Sequence, residues 1–164
     1  KHLPKAAGDP LSVFLTTWHQ LPEVRQSNIA WDDLFALRTA VQKELERLRD
    51  AGVIGAPLEA EVEVYALPER ARVYAAVGDE LRFLTITSAA RVHEVASRPA
   101  DTVPAETGGA AIPGVWLSVR RSDGVKCIRC WHLRPDIGSD PAHPEVCGRC
   151  AGNVSGRPEA REHV

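Results

Sequence analysis

The stretch Lys126-Cys-Ile-Arg-Cys-Trp131 is followed, after a polar loop, by Cys147-Gly-Arg-Cys-Ala-Gly-Asn153. All four cysteines of the chain lie in these two stretches, and two residues separate the members of each pair: Cys127 and Cys130, then Cys147 and Cys150. A two-residue gap lets one tight turn direct both thiolates at the same ion. The doubled pattern therefore predicts one Zn²⁺ bound by four thiolates, and such a closed tetrahedral shell makes the metal structural.

Three other interpretations of the cysteines compete with zinc. Disulfides do not explain the paired spacing, and four cysteines in 164 residues are few for a secreted scaffold. A redox motif needs only one Cys-x-x-Cys pair at the start of a helix. His132 and His143 lie in the loop and are able to replace a thiolate, although the symmetry of the pairs favours four sulfurs. Gly124 and Gly148 are expected to ease the two turns by adopting positive φ.

Composition limits the class of protein. The 164 residues suffice for one domain or two small ones, and 44% of them are hydrophobic, which excludes a disordered tail. No apolar run is long enough to span a membrane and no signal peptide is recognised, so reduced, metal-bound cysteines favour the cytoplasm. The chain contains no methionine, and we therefore expect a piece of a longer protein. The net charge of −2 gives no global attraction to nucleic acid, although residues 120–134 carry five basic side chains and one acidic one.

Hydrophobic periodicity predicts an α+β fold that begins with a strap and a long helix. Residues 1–27, which contain three prolines and the apolar cluster around Phe14, are expected to form the strap. Residues 28–51 repeat apolar side chains at intervals of three and four, which is typical of an amphipathic helix. Asn28 or Ser27 is expected to cap this helix, and Gly52 is expected to end it.

A small mixed α/β unit follows the helix, and its sheet is expected to be antiparallel or mixed. Alternation of apolar and polar residues predicts strands at residues 59–65 and 115–121, and the composition of residues 90–95 also favours a strand. Short helices are expected at residues 68–77 and 79–86. Residues 97–112 are expected to be a loop or linker, and residues 157–164 a polar tail.

The sequence contains no convincing catalytic motif. It has no Walker loop, no dinucleotide fingerprint and no Gly-x-Ser-x-Gly elbow. The acidic row of Glu59, Glu61 and Glu63 is expected to be a solvent-facing strand edge rather than a pair of catalytic carboxylates. His93 is expected to be a surface group or a satisfied hydrogen-bonding partner.

A binding surface on the zinc module is the remaining candidate. Arg129 and Trp131 flank Cys130, so the turn around the metal fixes both side chains with little freedom. An exposed indole stacks on unpaired bases and a guanidinium hydrogen-bonds base edges or phosphate, which favours RNA. Trp131 is equally suited to form the core of the small module. Three other cations are candidates for phosphate contacts or ordinary surface charges: Lys126, Arg134 and Arg149.

Several phrases together resemble the C-terminal region of bacterial isoleucyl-tRNA synthetases. The zinc module carries Lys126-Cys-Ile-Arg-Cys-Trp-His132, Arg134-Pro-Asp-Ile-Gly138 and His143-Pro-Glu-Val-Cys-Gly-Arg-Cys150. Upstream phrases also match that family: Ser12-Val-Phe-Leu-Thr-Thr-Trp18, Val41-Gln-Lys-Glu-Leu45, Leu58-Glu-Ala-Glu-Val-Glu-Val-Tyr65 and Gly78-Asp-Glu-Leu-Arg-Phe83. The resemblance therefore covers nearly the whole chain, in order.

The resemblance implies a class I ligase, which joins isoleucine to tRNA(Ile) through an adenylate made from ATP. The family's synthetic and editing domains and their signatures lie upstream and are absent here, so the segment is expected to be catalytically inactive. It implies three units: residues 1–55 as the end of the anticodon-binding helical domain, 56–121 as a small α+β domain, and 122–164 as the zinc module. Its implied partners are the anticodon arm of tRNA(Ile), met by Arg129 and Trp131, and the upstream synthetase domains. We expect a monomer with no membrane contact.

Two alternatives from other classes of protein stay open at this point. The first is the zinc-finger tail of a DNA-repair glycosylase, which has similar cysteine spacing and holds duplex DNA. The second is a structural zinc ribbon that serves as an adaptor between proteins.

Overall fold

A computed structural model describes the chain at Phe14 and over residues 28–163. Helix α1, Trp31–Asp50, confirms the first predicted helix, and its buried face has the predicted spacing: Leu34, Leu37, Ala40, Val41, Leu45 and Leu48. Gly52 ends it with φ of +70°, and the amide of Val53 donates to the Leu48 carbonyl at 2.9 Å. The predicted cap at Asn28 is wrong, because the capping position is Ala30 and no side chain caps the helix. Ser27 and the predicted strap, apart from Phe14, lie outside the described residues.

Four strands form one mixed sheet in the order β2-β1-β4-β3. Strand β1, Ala60–Ala66, pairs parallel with β2, Ala89–Glu94, and antiparallel with β4, Ala110–Arg121. Strand β3, Val103–Thr107, pairs antiparallel with β4. The predicted strands and the α+β class are therefore confirmed.

The prediction of a loop over residues 97–112 is wrong, because β3 and the start of β4 form a hairpin there. Its turn is Gly108-Gly109, with φ of +58° and +83°. Strand β3 is at the edge of the sheet, where Pro104 is tolerated because an edge strand leaves some of its amides unpaired. Proline and paired glycines, which usually indicate a loop, here mark an edge strand and a tight turn.

The helices cover one face of the sheet. Helix α2, Pro68–Ala75, and helix α3, Leu81–Thr85, contribute to the same core as α1. Short 3-10 helices precede β1 and α3, at Pro57–Glu59 and Gly78–Glu80. The centre of the core is fully buried and includes Val62, Val64 and Leu117.

The opposite face of the sheet carries an ion-pair network. Glu61 accepts hydrogen bonds from Arg120 at 2.9 Å, Arg91 at 3.1 Å and Ser122 at 2.6 Å. Glu63 contacts Arg91 at 2.7 Å and His93 at 2.6 Å, which confirms His93 as a satisfied partner. The expectation of a solvent-facing strand edge is wrong for Glu61 and Glu63. They lie on a central strand, and their side chains are only 12% and 18% exposed.

The zinc module follows β4. It consists of the two-stranded ribbon β5, Val125–Lys126, and β6, Leu133–Arg134, and of helix α4, Gly148–Val154.

The predicted polar tail is wrong in one respect, since residues 157–163 fold back onto the sheet unit. The carboxylate of Glu80 accepts from the amides of Glu162 at 2.7 Å and His163 at 2.9 Å. Within residues 28–163, no helix is long and apolar enough to cross a bilayer.

Candidate metal centre and nucleic-acid interface

The four cysteine sulfurs converge on one point. They lie within 4.8 Å of one another, and the Sγ atoms of Cys130 and Cys147 are 3.8 Å apart. A tetrahedron with Zn–S bonds of about 2.3 Å has edges of roughly 3.8 Å, so the cluster has the size that Zn²⁺ requires. Cys127, Cys147 and Cys150 are buried and Cys130 is partly buried, so most of the cluster is shielded from solvent. The predicted cofactor, one structural Zn²⁺, is therefore confirmed.

Backbone hydrogen bonds shape the first cysteine turn. The amide of Trp131 donates to the Cys127 carbonyl at 2.9 Å, and the amide of Cys127 donates to the His132 carbonyl at 2.9 Å. The second turn begins α4, where Cys147 occupies the capping position and the Gly148 amide donates to Asp136 at 3.0 Å. Both turns are thereby held by contacts that do not involve the metal.

The glycines of the module act differently from the expectation. Neither Gly124 nor Gly148 has positive φ, so that part of the prediction is wrong. Gly124 is needed for space instead, because an added Cβ would lie 2.7 Å from the backbone nitrogen of Arg134. The left-handed residue of the first turn is Trp131, with φ of +66°.

The local electrostatics set the protonation of the metal-free thiols. Burial raises the pKa of Cys147 to about 12 and also raises the pKa of Cys150. Burial also favours a raised pKa at Cys127, but backbone hydrogen bonds from Cys130, Cys147 and Arg129 outweigh it and lower that pKa to about 6. Arg129 donates towards the Cys150 sulfur at 3.7 Å, which favours its thiolate. Metal binding therefore has to displace protons from some of the thiols.

Trp131 and its neighbours form a surface that we call the knuckle surface, made of Val125, Lys126, Ile128, Arg129 and Trp131. The indole of Trp131 is 62% exposed, so the interpretation of Trp131 as the module core is wrong. The ammonium of Lys126 lies 5.7 Å from the centre of the indole ring. Ile128 and Val125 are 60% and 62% exposed. Neither apolar residue was among the binding residues predicted from the sequence. The position of Ile128 between a metal ligand and an arginine was the signal that could have indicated it.

The other two candidate cations are engaged within the chain. Arg134 is half-buried and pairs with Asp136 at 3.4 Å. Arg149 is 18% exposed, pairs with Glu159 at 2.8 Å, and places its guanidinium 5.2 Å from the centre of the Phe83 ring. The structure therefore places Lys126 beside the Trp131 ring and directs the exposed Arg129 at the Cys150 sulfur, while Arg134 and Arg149 make internal ion pairs.

Comparison with known proteins supports the module and the chain around it. Residues 124–152 match the family model described as "Zinc finger found in FPG and IleRS". The chain is 46% identical over 93% of its length to an isoleucine--tRNA ligase of Azotobacter vinelandii. It is 44% identical over its full length to that of Alkalilimnicola ehrlichii, and 45% identical over 98% to that of Halorhodospira halophila. The predicted resemblance is thereby confirmed. The chain spans 16 to 18% of the length of these relatives.

Proposed function

We propose that this chain is the segment of an isoleucine--tRNA ligase that grips the anticodon arm of tRNA(Ile). The observation that carries the proposal is the exposed indole of Trp131 beside the four-sulfur cluster. A large aromatic ring that is 62% exposed contributes little to the stability of the module. Val125 and Ile128 of the same turn are also exposed, and clustered apolar surface of this kind marks interaction sites.

The chemistry of the knuckle surface suits a single-stranded RNA loop. An unpaired base stacks on the indole, and each such stack is worth about 1–3 kcal/mol. Lys126 lies beside the ring, and the exposed Arg129 belongs to the same turn. The two supply the positive charge that phosphates need, and the guanidinium fork also fits base edges. Ile128 widens the apolar surface beside the stacked base. The metal cage holds the turn rigid, so little side-chain or backbone entropy is lost on binding.

The segment would serve the whole ligase as an anchor. In that enzyme, ATP, isoleucine and tRNA(Ile) give isoleucyl-tRNA at a class I synthetic site outside residues 1–164. The segment itself is catalytically inactive in this proposal, and the other synthetase domains of the same polypeptide are its covalent partners. We further propose a monomer that works in the cytoplasm.

A binding titration tests the proposal. The chain is titrated into an RNA stem-loop with an isoleucine anticodon, into a stem-loop with another anticodon, and into duplex DNA. We expect weak, salt-sensitive binding that favours the first RNA. Trp131→Ala should lower that affinity by about fivefold or more, the cost of one lost base stack. The zinc content should stay at one per chain. Val154→Ala is the matched control, because Val154 is an apolar residue of the same module that is 55% exposed.

The two alternative functions give different results in the same experiment. The zinc-finger family that matches residues 124–152 does not by itself exclude a glycosylase-type tail. Such a tail would bind duplex DNA at least as tightly as RNA. A structural ribbon or adaptor would bind neither nucleic acid, and Trp131→Ala would then change nothing. Similarity to ligases over 92 to 100% of the chain favours the RNA-binding proposal over both.

A further inference from the structure

The ring of Phe83 in α3 is surrounded by three guanidinium groups from three parts of the chain. Their carbon atoms lie 4.0 Å (Arg161), 4.6 Å (Arg82) and 5.2 Å (Arg149) from the ring centre. Arg82 belongs to α3 itself, Arg149 to α4 of the zinc module, and Arg161 to the terminal segment. A cation over an aromatic face is attracted by the negative charge of the ring's π electrons. The Phe83 ring therefore connects the sheet unit, the module and the terminal segment.

These arginines do not make an anion site. Arg82 pairs with Asp79, and Arg149 and Arg161 both pair with Glu159. Their charges are therefore compensated by carboxylates that the chain itself supplies. The cluster is built to hold parts of the protein together, not to receive a phosphate.

Phe83 also contacts the residue that follows Trp131. The edge of the His132 ring meets Phe83 with the ring centres 5.9 Å apart and the planes at 80°. His132 is 9% exposed, and its Nδ1 lies 3.2 Å from the Cys130 carbonyl oxygen. The imidazole is therefore fixed between the sheet unit on one side and the metal-binding turn on the other.

The backbone makes the positions of His132 and Trp131 interdependent. Trp131 adopts φ of +66°, a left-handed conformation that is costly for a bulky side chain. It puts two successive side chains in opposite environments, with His132 buried at 9% and Trp131 exposed at 62%. Losing the inward contact of His132 would remove one of the contacts that hold Trp131 outward.

We propose that Phe83 is a positioning residue for RNA binding: its contact with His132, held by the surrounding arginines, keeps the Trp131 indole presented on the knuckle surface. This inference rests on the proposed function. It gives Arg149 a part in positioning, whereas the sequence made it a candidate for a phosphate contact or an ordinary surface charge.

The test combines Phe83→Leu with Trp131→Ala in a double-mutant cycle, measured with the isoleucine-anticodon stem-loop RNA. Phe83→Leu removes the ring but keeps an apolar side chain of similar size, and Phe83→Tyr keeps the ring. We expect Phe83→Leu to lower the affinity by about fivefold, the lower end of the value of one stacked base. Phe83→Tyr should restore binding. In the Trp131→Ala background, Phe83→Leu should cost nothing further, because a positioning residue acts only through the group it positions.

Two additional readouts separate positioning from a general loss of structure. The zinc content should remain one per chain, and the indole N–H resonance assigned to Trp131 should shift in Phe83→Leu and return in Phe83→Tyr. Phe35→Leu is the matched control, because Phe35 is a 48% exposed phenylalanine on α1. If Phe83→Leu proves unstable, Arg161→Gln, which removes one cation from the ring, should give a smaller loss in the same direction.

Either of two results would overturn the inference: unchanged RNA affinity in Phe83→Leu, or losses in Phe83→Leu and Trp131→Ala that simply add. Both results leave the proposed function intact as long as Trp131→Ala alone weakens binding. If Trp131→Ala binds the RNA as tightly as the unaltered chain, the proposed function itself fails.

Discussion

The hydroxyl of Ser88 accepts a hydrogen bond of 2.7 Å from the backbone amide of Leu133. Ser88 lies next to β2 of the sheet unit and Leu133 begins β6 of the zinc module, so one buried hydroxyl joins the two units. The same hydroxyl donates to the carbonyl of Leu58. Like the contact between Phe83 and His132, this hydrogen bond joins the sheet unit to the zinc module, but it does so through polar atoms.

We expect Ser88→Ala to lower the free energy of unfolding by about 1–3 kcal/mol, because the Leu133 amide and the Leu58 carbonyl lose a buried partner. Denaturant unfolding measures the loss, and hydrogen exchange at Leu133 locates it. Ser155→Ala, at an exposed serine after α4, should change the stability by less than about 0.5 kcal/mol. An unaltered exchange rate at Leu133 would contradict the assignment.

Removal of zinc should unfold the module and spare the sheet unit. Among residues 28–163, the hydrophobic side chains that pack on the cysteine cluster are Ile137 and Val146, whereas α1 and the sheet share a separate core of 21 buried residues. Without metal, such a small apolar cluster cannot offset the entropy of ordering the loop. Chelation should therefore abolish amide protection over residues 124–154 and retain it over residues 60–121.

Cys150→Ser removes one of the four zinc ligands, so this variant should also lose zinc. Its control is the unaltered chain with the metal restored. Simultaneous loss of protection in both regions would show that the two cores fold as one unit.

Glu61 should make the stability depend on pH. Burial by itself raises the pKa of Glu61, but hydrogen bonds from Ser122 and Arg91 and the charge of Arg120 outweigh it and lower the pKa below 4.5. A carboxyl whose pKa is lower in the folded state stabilises the protein above its unfolded pKa, and this contribution is lost as the pH falls through the folded pKa.

Glu61→Gln should therefore cost about 1–2 kcal/mol at pH 7, where the charged hydrogen bonds are lost. The difference from the unaltered chain should shrink as the pH falls below 4.5, which denaturant unfolding at a series of pH values measures. Glu46→Gln, at an exposed ion pair on α1, serves as the control and should cost less than about 0.5 kcal/mol. A loss at Glu61 that does not vary with pH would contradict the electrostatic explanation.

Gly124→Ala should disturb the entry to the zinc module. The added Cβ would lie 2.7 Å from backbone atoms of Leu133 and Arg134, so β5 and β6 would have to separate. We expect a loss of about 1–3 kcal/mol in the stability of the zinc-bound chain, typical of overpacking. Gly55→Ala is the control, since its Cβ would meet only ordinary contacts from 3.5 Å to the Glu59 side chain. Equal melting temperatures for the two variants would show that the ribbon adapts.

The parts of the fold that the sequence predicted are those with strong local periodicity. Helix α1 and strand β1 follow directly from the spacing of Leu34, Leu37, Val62 and Val64. The hairpin of β3 and β4 was missed because Pro104 and Gly108-Gly109 locally favour a loop, and only pairing with a distant strand stabilises β3. The position of β1 in the middle of the sheet depends on strand order, so the burial of Glu61 and Glu63 was not predictable from alternation alone.

The candidate site also has one part that the local sequence predicts and another that depends on the folded structure. Cysteine spacing is a local property, and it predicted the metal centre correctly. The exposure of Trp131 depends on a left-handed backbone angle at a non-glycine residue, which propensity argues against. The internal engagement of Arg149 depends on Phe83, which is distant from it in sequence, and on Glu159 in the terminal segment.

The pairing of arginines with carboxylates limits how many counterions the candidate RNA-binding residues are able to displace from a nucleic acid. Arg120, Arg134 and Arg149 each form an ion pair, whereas Lys126 and Arg129 form none with the carboxylates of residues 28–163. If both of these knuckle-surface cations contact phosphates, they correspond to a slope of roughly −1.4 in a plot of log affinity against log salt for a single strand. Tight binding by a whole ligase would therefore have to draw most of its electrostatic attraction from surfaces other than this one.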